Sequence, residues 1–436
     1  MNSSLNKVYN SSLFPIGLHL VVMFLGYCML SFFGIIKGIP TDESLIRYDV
    51  VFYKSIVDNG YTYTPGQQSS VAFFPLFPFL WRAIQVSPLV ISIINMVLMI
   101  IGMHILNKVL KLKKTELLIL LSTPSMMFCY IPYSEAMFFL CCTIFLYGLD
   151  RNFKIALLGI FLAGLCRSAS MTFIPVLVFC ALFYIIPSKK DLTKKHLLQF
   201  LALSVVALLS LVVAQFIQYL ETGAFFVIFE AQKQWDRTFK FPTFYLTTWD
   251  GIRLIWLDGL AFLVGAISAV TAIVLLIRKY KTQTKSFSPI YTFSIGYLAM
   301  VTLTILFFSQ VDTHQNGTSI FSLNRFVFAT PFFFVFLILS FKYFKLNQKL
   351  LLYFSITSII VWILFHALGN IEGLSVYDLP YLKTKIYFLI VSLYSLVYVV
   401  MLNKNYRTQL WSALYVFNVI LQLYLYNSFF HNGWVG

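Results

Sequence analysis

The chain has 436 residues, 59% of them hydrophobic, 18% aromatic and only 11% charged, with a mean hydropathy of +0.82. Roughly a quarter of a soluble domain is charged, so composition excludes that class, and long unbroken apolar runs in place of period-two alternation exclude an outer-membrane barrel. The net charge of +16 would suit a nucleic-acid binder, but the basic residues sit in short islands between apolar runs, where they set orientation and meet anionic lipid.

The expected fold is an all-α polytopic membrane protein, a single integral unit over 1–436 without a soluble domain. Apolar runs of about twenty residues match the hydrocarbon core. In chain order they fall at 14–36, 88–107, 115–131, 135–149, 154–167, 170–187, 197–220, 254–277, 289–309, 325–341, 350–368, 384–402 and 410–430, which gives about thirteen spans by transfer logic. The first run is too long for a cleavable signal and stays as a span. With the N-terminus cytoplasmic, most of the 32 basic residues fall on inside segments, among them Lys108, Lys111, Lys113, Lys114, Lys189 and Lys190. Two long segments, 37–87 and 221–253, then lie outside, with a shorter polar one at 310–324. The first of these can form two interfacial helices, near 49–57 and 73–84.

Five constellations carry possible chemistry, all on the outer face of this topology. Asp49 follows Arg47 and Tyr48 and has Phe52, Tyr53, Tyr61 and Tyr63 nearby in sequence. A carboxylate in such a partly dry setting can act as a general base, or merely cap a helix. Ser134-Glu135 opens an apolar run, either as a cap or as a polar group facing a cavity. Arg167, between two apolar runs, can grip a phosphate bidentately or snorkel to the interface. Gln232, Trp235, Asp236 and Arg237 suit a sugar or pyrophosphate-like ligand, or form an exposed turn. Asn324-Arg325 opens the run that continues through Pro331. The six cysteines and six histidines show no metal-ligand spacing, and packing is their default role.

These stretches resemble a known family. Arg47-Tyr48-Asp49, Asn59-Gly60-Tyr61 and Ala72-Phe73-Phe74-Pro75-Leu76-Phe77-Pro78 resemble the first outer loop of the PIG-V family, whose eukaryotic members are the second mannosyltransferase of GPI-anchor assembly. Tyr48 stands where that family usually has tryptophan. Tyr133-Ser134-Glu135-Ala136-Met137-Phe138 resembles its second signature, and the Arg167 region its third. Ala231-Gln232, Trp235 and Arg237 look like bacterial relatives in particular. The likeness runs from Asp49 to about Arg325 and implies a GT-C glycosyltransferase. Such an enzyme moves a hexose, mannose in the eukaryotic members, from a polyprenyl or dolichyl monophosphate to a membrane-proximal acceptor with inversion. The first-loop carboxylate, here Asp49, is the base. Arg47, Tyr61, Glu135, Arg167, Gln232, Trp235, Arg237, Asn324 and Arg325 become substrate-binding candidates. The sugar lipid is a co-substrate; neither a cofactor nor a metal is implied.

Two other readings stay open at this point. A lipid-linked sugar flippase or transporter expects charged residues lining both membrane faces. A structural subunit expects the carboxylate and the arginines to lie far apart. The Lys/Asn/Phe/Tyr bias and the Gln232–Arg237 stretch favour a bacterial plasma membrane over an endoplasmic-reticulum membrane.

Overall fold

The computed structural model describes residues 11–36, 38–185, 193–235, 237–242, 246–247, 252–282, 287–308, 318–343 and 407–436. The expected spans at 350–368 and 384–402, residues 310–317 of the expected third outer segment, and Asp236 lie outside the described residues.

The protein is an integral, multi-pass membrane protein built almost wholly of helices. In chain order they are α1 (Leu13–Phe32), α2 (Asp42–Leu45), α3 (Asp49–Asn59), α4 (Leu76–Ile84), α5 (Pro88–Leu110), α6 (Lys114–Leu121), α7 (Glu135–Arg151) and α8 (Phe153–Cys166). Then come α9 (Phe173–Ile185), α10 (Thr193–Thr222), α11 (Ile228–Lys233), α12 (Ile252–Thr282), α13 (Pro289–Phe307), α14 (Leu323–Phe328), α15 (Pro331–Tyr343) and α16 (Arg407–Phe430). The one sheet among the described residues is a parallel pair, β1 (Leu246–Thr247) with β2 (Thr318–Ser319), which ties the 221–253 segment to the chain just before α14.

The expectation of about thirteen spans is overturned. Among the described residues, six helices are long and apolar enough to cross a membrane: Leu13–Phe32, Pro88–Leu110, Leu197–Thr222, Leu257–Lys281, Pro289–Phe307 and Trp411–Phe430. A seventh exists only if Pro124–Tyr130 and Glu135–Arg151, bent by 103° at their break, count together. Other apolar runs among the described residues fall short for identifiable reasons. The 115–131 run divides at Ser122-Thr123-Pro124 into α6 and a 3-10 turn. The 325–341 run divides between α14 and α15, ahead of Pro331. Helix α8, with 14 residues, extends about 21 Å at 1.5 Å per residue, short of the ~30 Å hydrocarbon core. Helix α7 is apolar because protein surrounds it: Ala136, Phe138, Phe139, Cys142, Phe145 and Leu146 are all fully buried.

Helix α7 packs against α5 and α8, and α8 and α9 both lean on α10. The α7–α8 hairpin closes through glycine. A Cβ on Gly148 would run into the backbone of Ala156, and one on Gly159 into that of Phe145. Helix approach through small residues replaces the hydrophobic drive that lipid removes.

The break between α6 and α7 exposes backbone carbonyls inside an apolar protein, where unmet polar groups are costly. Side-chain amides from distant helices meet them. Gln422 on α16 donates to the carbonyls of Leu121 (2.8 Å) and Thr123 (2.7 Å), and Asn95 on α5 donates to those of Ile131 (2.6 Å) and Tyr133 (2.8 Å). Replacing Gln422 by leucine strands the Leu121 carbonyl, at a cost of about 1–3 kcal/mol, and leaves the Thr123 carbonyl with only the Met126 N–H. Thermal unfolding in detergent should therefore show a clearly lowered midpoint for Gln422→Leu.

Candidate active site: a carboxylate and three guanidiniums in one cavity

The 37–87 segment is pinned at several points. Gly60, at the end of α3, has φ +81, and a Cβ there would lie 2.8 Å from Glu221 Oε2. Only glycine meets both demands. Glu221 accepts from the Tyr61 backbone N–H (2.6 Å) and from Arg82 Nη1 (2.9 Å). Tyr61 Oη donates to the Phe73 carbonyl (2.9 Å), and Gln218 on α10 donates to the carbonyls of Val71 and Phe73 (3.0 and 2.9 Å). The Asn59-Gly60-Tyr61 and Phe73-Phe74-Pro75 stretches are thus one clasp holding α3 in place.

Asp49 is the first residue of α3. Backbone N–H groups at that end favour negative charge. Tyr48 before it takes φ +51, an unusual conformation for a residue with a side chain. Tyr48 is over-determined by its surroundings. Its Oη donates to the Asn432 carbonyl (2.6 Å), and its ring stands edge-on to Trp434 at 4.9 Å.

Four charged groups from four separate elements meet here. Arg325 Nη2 donates to Asp49 Oδ2 at 2.9 Å and lies 2.6 Å from Glu135 Oε1, while its Nε donates to that oxygen at 2.8 Å. Arg167 Nη1 forms an ion pair with the same Glu135 Oε1 at 2.8 Å, but at an angle that makes no hydrogen bond. Glu135 begins α7 immediately after the bend, Arg167 ends α8, and Arg325 rides on six-residue α14. Every group therefore sits within about one turn of a helix end, where side chains from different elements converge. Tyr53 on α3 shares a 2.8 Å hydrogen bond with Ser134, binding α3 to the start of α7. Burial, then the nearby carboxylates Glu135 and Asp49, raise the Tyr53 pKa and keep that phenol neutral.

Asp49, Arg167, Gln232, Trp235, Arg237 and Arg325 line one cavity of about 270 Å³. Its other wall is aromatic: Phe52 and Phe73 stack at 5.1 Å, and Trp235 stands edge-on to Phe52 at 5.0 Å. Each guanidinium also faces a ring. Arg167 is 4.8 Å from the Phe326 centroid, Arg325 4.6 Å from Tyr133, and Arg237 5.4 Å from Phe321. Such contacts partly offset the cost of burying a cation.

Burial works against the charge on Arg325, but Glu135 and Asp49 outweigh it and raise its pKa. Arg237 differs. Burial, then repulsion from Arg325 and Arg167 against attraction from Asp49, pushes it down to about 10, still protonated at neutral pH. Among the described side chains of the cluster, two carboxylates thus face three guanidiniums, a formal surplus of one positive charge. Asp49 Oδ1 makes no hydrogen bond to another described residue. The arrangement can therefore accept a proton at Oδ1 and receive an anion beside Arg167 and Arg237.

The remaining sequence candidates fall outside the cavity lining. Glu135 is fully buried beneath the arginines. Arg47 reaches the Ile46 carbonyl (Nη1, 3.4 Å), and Tyr61 belongs to the clasp. Asn324 is also fully buried, donating through Nδ2 to Asp258 Oδ1 at 2.7 Å. Sequence reasoning passed over Asp258 and Trp434. A lone acid inside the 254–277 run was a readable signal for the first; nothing local marks the second. Among the described residues no three His, Cys, Asp or Glu side chains form a metal-ligating group. No family model, curated protein or solved structure matches the chain.

Proposed function

We propose that the protein is a membrane hexosyltransferase of PIG-V type. It moves a hexose, mannose by preference, from a polyprenyl or dolichyl monophosphate to a membrane-proximal acceptor with inversion at the anomeric carbon. One observation carries this reading: Asp49, Glu135, Arg167 and Arg325 come from four stretches far apart in the chain, the first three of which resemble that family, and they form one bonded cluster. A structural subunit has no need to bring a carboxylate within 2.9 Å of an arginine at a cavity wall. A transporter expects charge toward both membrane faces.

The chemistry follows from the cluster. The acceptor hydroxyl gives its proton to Asp49 Oδ1 as its oxygen bonds to the anomeric carbon. The bond from that carbon to the phosphate oxygen breaks, and the lipid monophosphate leaves with the electron pair. The transition state resembles an oxocarbenium ion, as in glycoside cleavage. Negative charge disappears from Asp49 while it grows on the phosphate, so the cluster keeps its charge balance throughout. Arg325 loses one of its two carboxylate partners, keeping Glu135, as the phosphate gains charge, and Arg167 and Arg237 stand ready for the same anion. Donors fixed in advance around a developing charge supply the largest catalytic term in many enzymes. Gln232 and the Phe52–Phe73–Trp235 wall suit the sugar ring. The reading places the cavity on the non-cytoplasmic face of a bacterial plasma membrane.

Purified protein incubated with a panel of polyprenyl-phosphate hexoses and a glycolipid acceptor should release polyprenyl monophosphate from one donor. Uptake of the intact sugar lipid into vesicles, with no covalent product, would instead support a transporter.

A further inference from the structure

Helix α12 crosses the membrane and carries a fully buried carboxylate, Asp258. An ionisable group at such a position is expensive unless it is paired or hydrogen-bonded, and it needs a reason. It does not line the cavity, and the carboxylates bonded to Arg325 are Glu135 and Asp49. Asp258 Oδ1 accepts two hydrogen bonds from one residue: the Asn324 backbone N–H at 2.9 Å and Asn324 Nδ2 at 2.7 Å. Asn324 Oδ1 in turn accepts from Ser125 Oγ at 2.9 Å.

The residue so held precedes Arg325. Helix α14 has only six residues, too few to persist on local bonding. Its N-cap, Ser322, sits in the left-handed region at φ +65 and offers no side-chain cap. Asp258 supplies that cap from another helix. Asn324, in the first turn of α14, therefore has both backbone and side chain fixed to the membrane-spanning scaffold, and Arg325 leaves that turn toward Asp49 and Glu135. A guanidinium that must hold two carboxylates within 3 Å of its nitrogens tolerates little drift of its backbone.

We propose that Asp258 is a positioning residue for the site, acting through Asn324 to hold Arg325 in register with Asp49. The inference rests on the transferase reading only for its activity readout. The test uses full-length protein in detergent or nanodiscs, with farnesyl phosphate as an anion probe and hexose transfer as a second measure, both counted per folded molecule. Asp258→Leu should weaken farnesyl phosphate binding about tenfold and lower kcat for transfer about a hundredfold. Asp258→Asn keeps an oxygen able to accept both bonds and should recover to within about threefold of wild type.

The deciding measurement is the pair Asp258→Leu and Arg325→Ala, alone and combined. If Asp258 acts through Arg325, the combined variant is no worse than Arg325→Ala alone; independent effects would multiply. A purely structural role would lower the unfolding midpoint while leaving the two losses multiplicative. Multiplying losses, wild-type behaviour of Asp258→Leu, or failure of Asp258→Asn to recover each overturns the proposal. Probe binding that follows these rules without any transfer would uphold Asp258 and sink the transferase reading. Wild-type protein that neither binds the probe nor transfers hexose would overturn both.

Discussion

Asp49→Asn should reduce hexose transfer by about 10²–10⁴-fold, the range typical of a lost general base, while leaving expression and donor binding close to wild type. The substitution keeps the shape at the start of α3 and an oxygen for Arg325 Nη2, now 2.9 Å from Oδ2. What it removes is the lone pair that takes the acceptor's proton. The loss should therefore appear in kcat rather than in KM for the donor, because the hydroxyl's proton moves only in the transition state. Steady-state kinetics of the purified variant, alongside its unfolding midpoint, checks both halves. Near-normal turnover by Asp49→Asn would remove Asp49 from the chemistry.

Glu135→Ala should be among the most destabilising single changes in the molecule. Glu135 Oε1 is the shared counter-charge for Arg167 and Arg325, which are 7% and 5% exposed. Breaking a buried ion pair from one side costs about 3–5 kcal/mol, because the partner stays buried and uncompensated. Arg167 loses its carboxylate here, and Arg325 keeps only Asp49. The same physics predicts an opposite outcome for a triple variant, Glu135→Leu with Arg167→Met and Arg325→Met. With no buried charge left unpaired among these three, most of the stability should return, while transfer stays absent. Thermal unfolding of both variants in one detergent tests this. Equal midpoints for Glu135→Ala and wild type would mean that the cluster is not held by Glu135.

The candidate site was more legible in the sequence than the fold, for a physical reason. A charge in an apolar chain is costly wherever it lies, so Asp49, Glu135, Arg167 and Arg325 stood out individually, and four such residues find stability by meeting each other. Hydropathy carries no such information about spans. It records that 135–149 is apolar but not that protein, rather than lipid, covers it, as the complete burial of Phe138, Phe139, Phe145 and Leu146 shows. Nor does it register that Ser122-Thr123-Pro124 stops a helix whose last carbonyl, at Leu121, Gln422 meets from 301 residues away. Trp434 was invisible for the same reason. Its place beside Tyr48 depends on closure of the whole chain, sealed by Tyr48 Oη on the Asn432 carbonyl across 384 residues. Asn324 and Tyr61 lie in chemically suggestive stretches, yet Tyr61 binds the Phe73 carbonyl and Asn324 ties α14 to Asp258 and Ser125. Residue type near a site does not tell whether a side chain meets a ligand or holds the group that does.

The most direct measurement is a single-turnover reaction with a polyprenyl-phosphate hexose of known anomeric configuration, followed by NMR of the product. One carboxylate acting as base in a direct displacement predicts a glycoside of opposite configuration, with one equivalent of polyprenyl monophosphate released. A product with retained configuration, or a hexosyl group trapped on the protein, would contradict it.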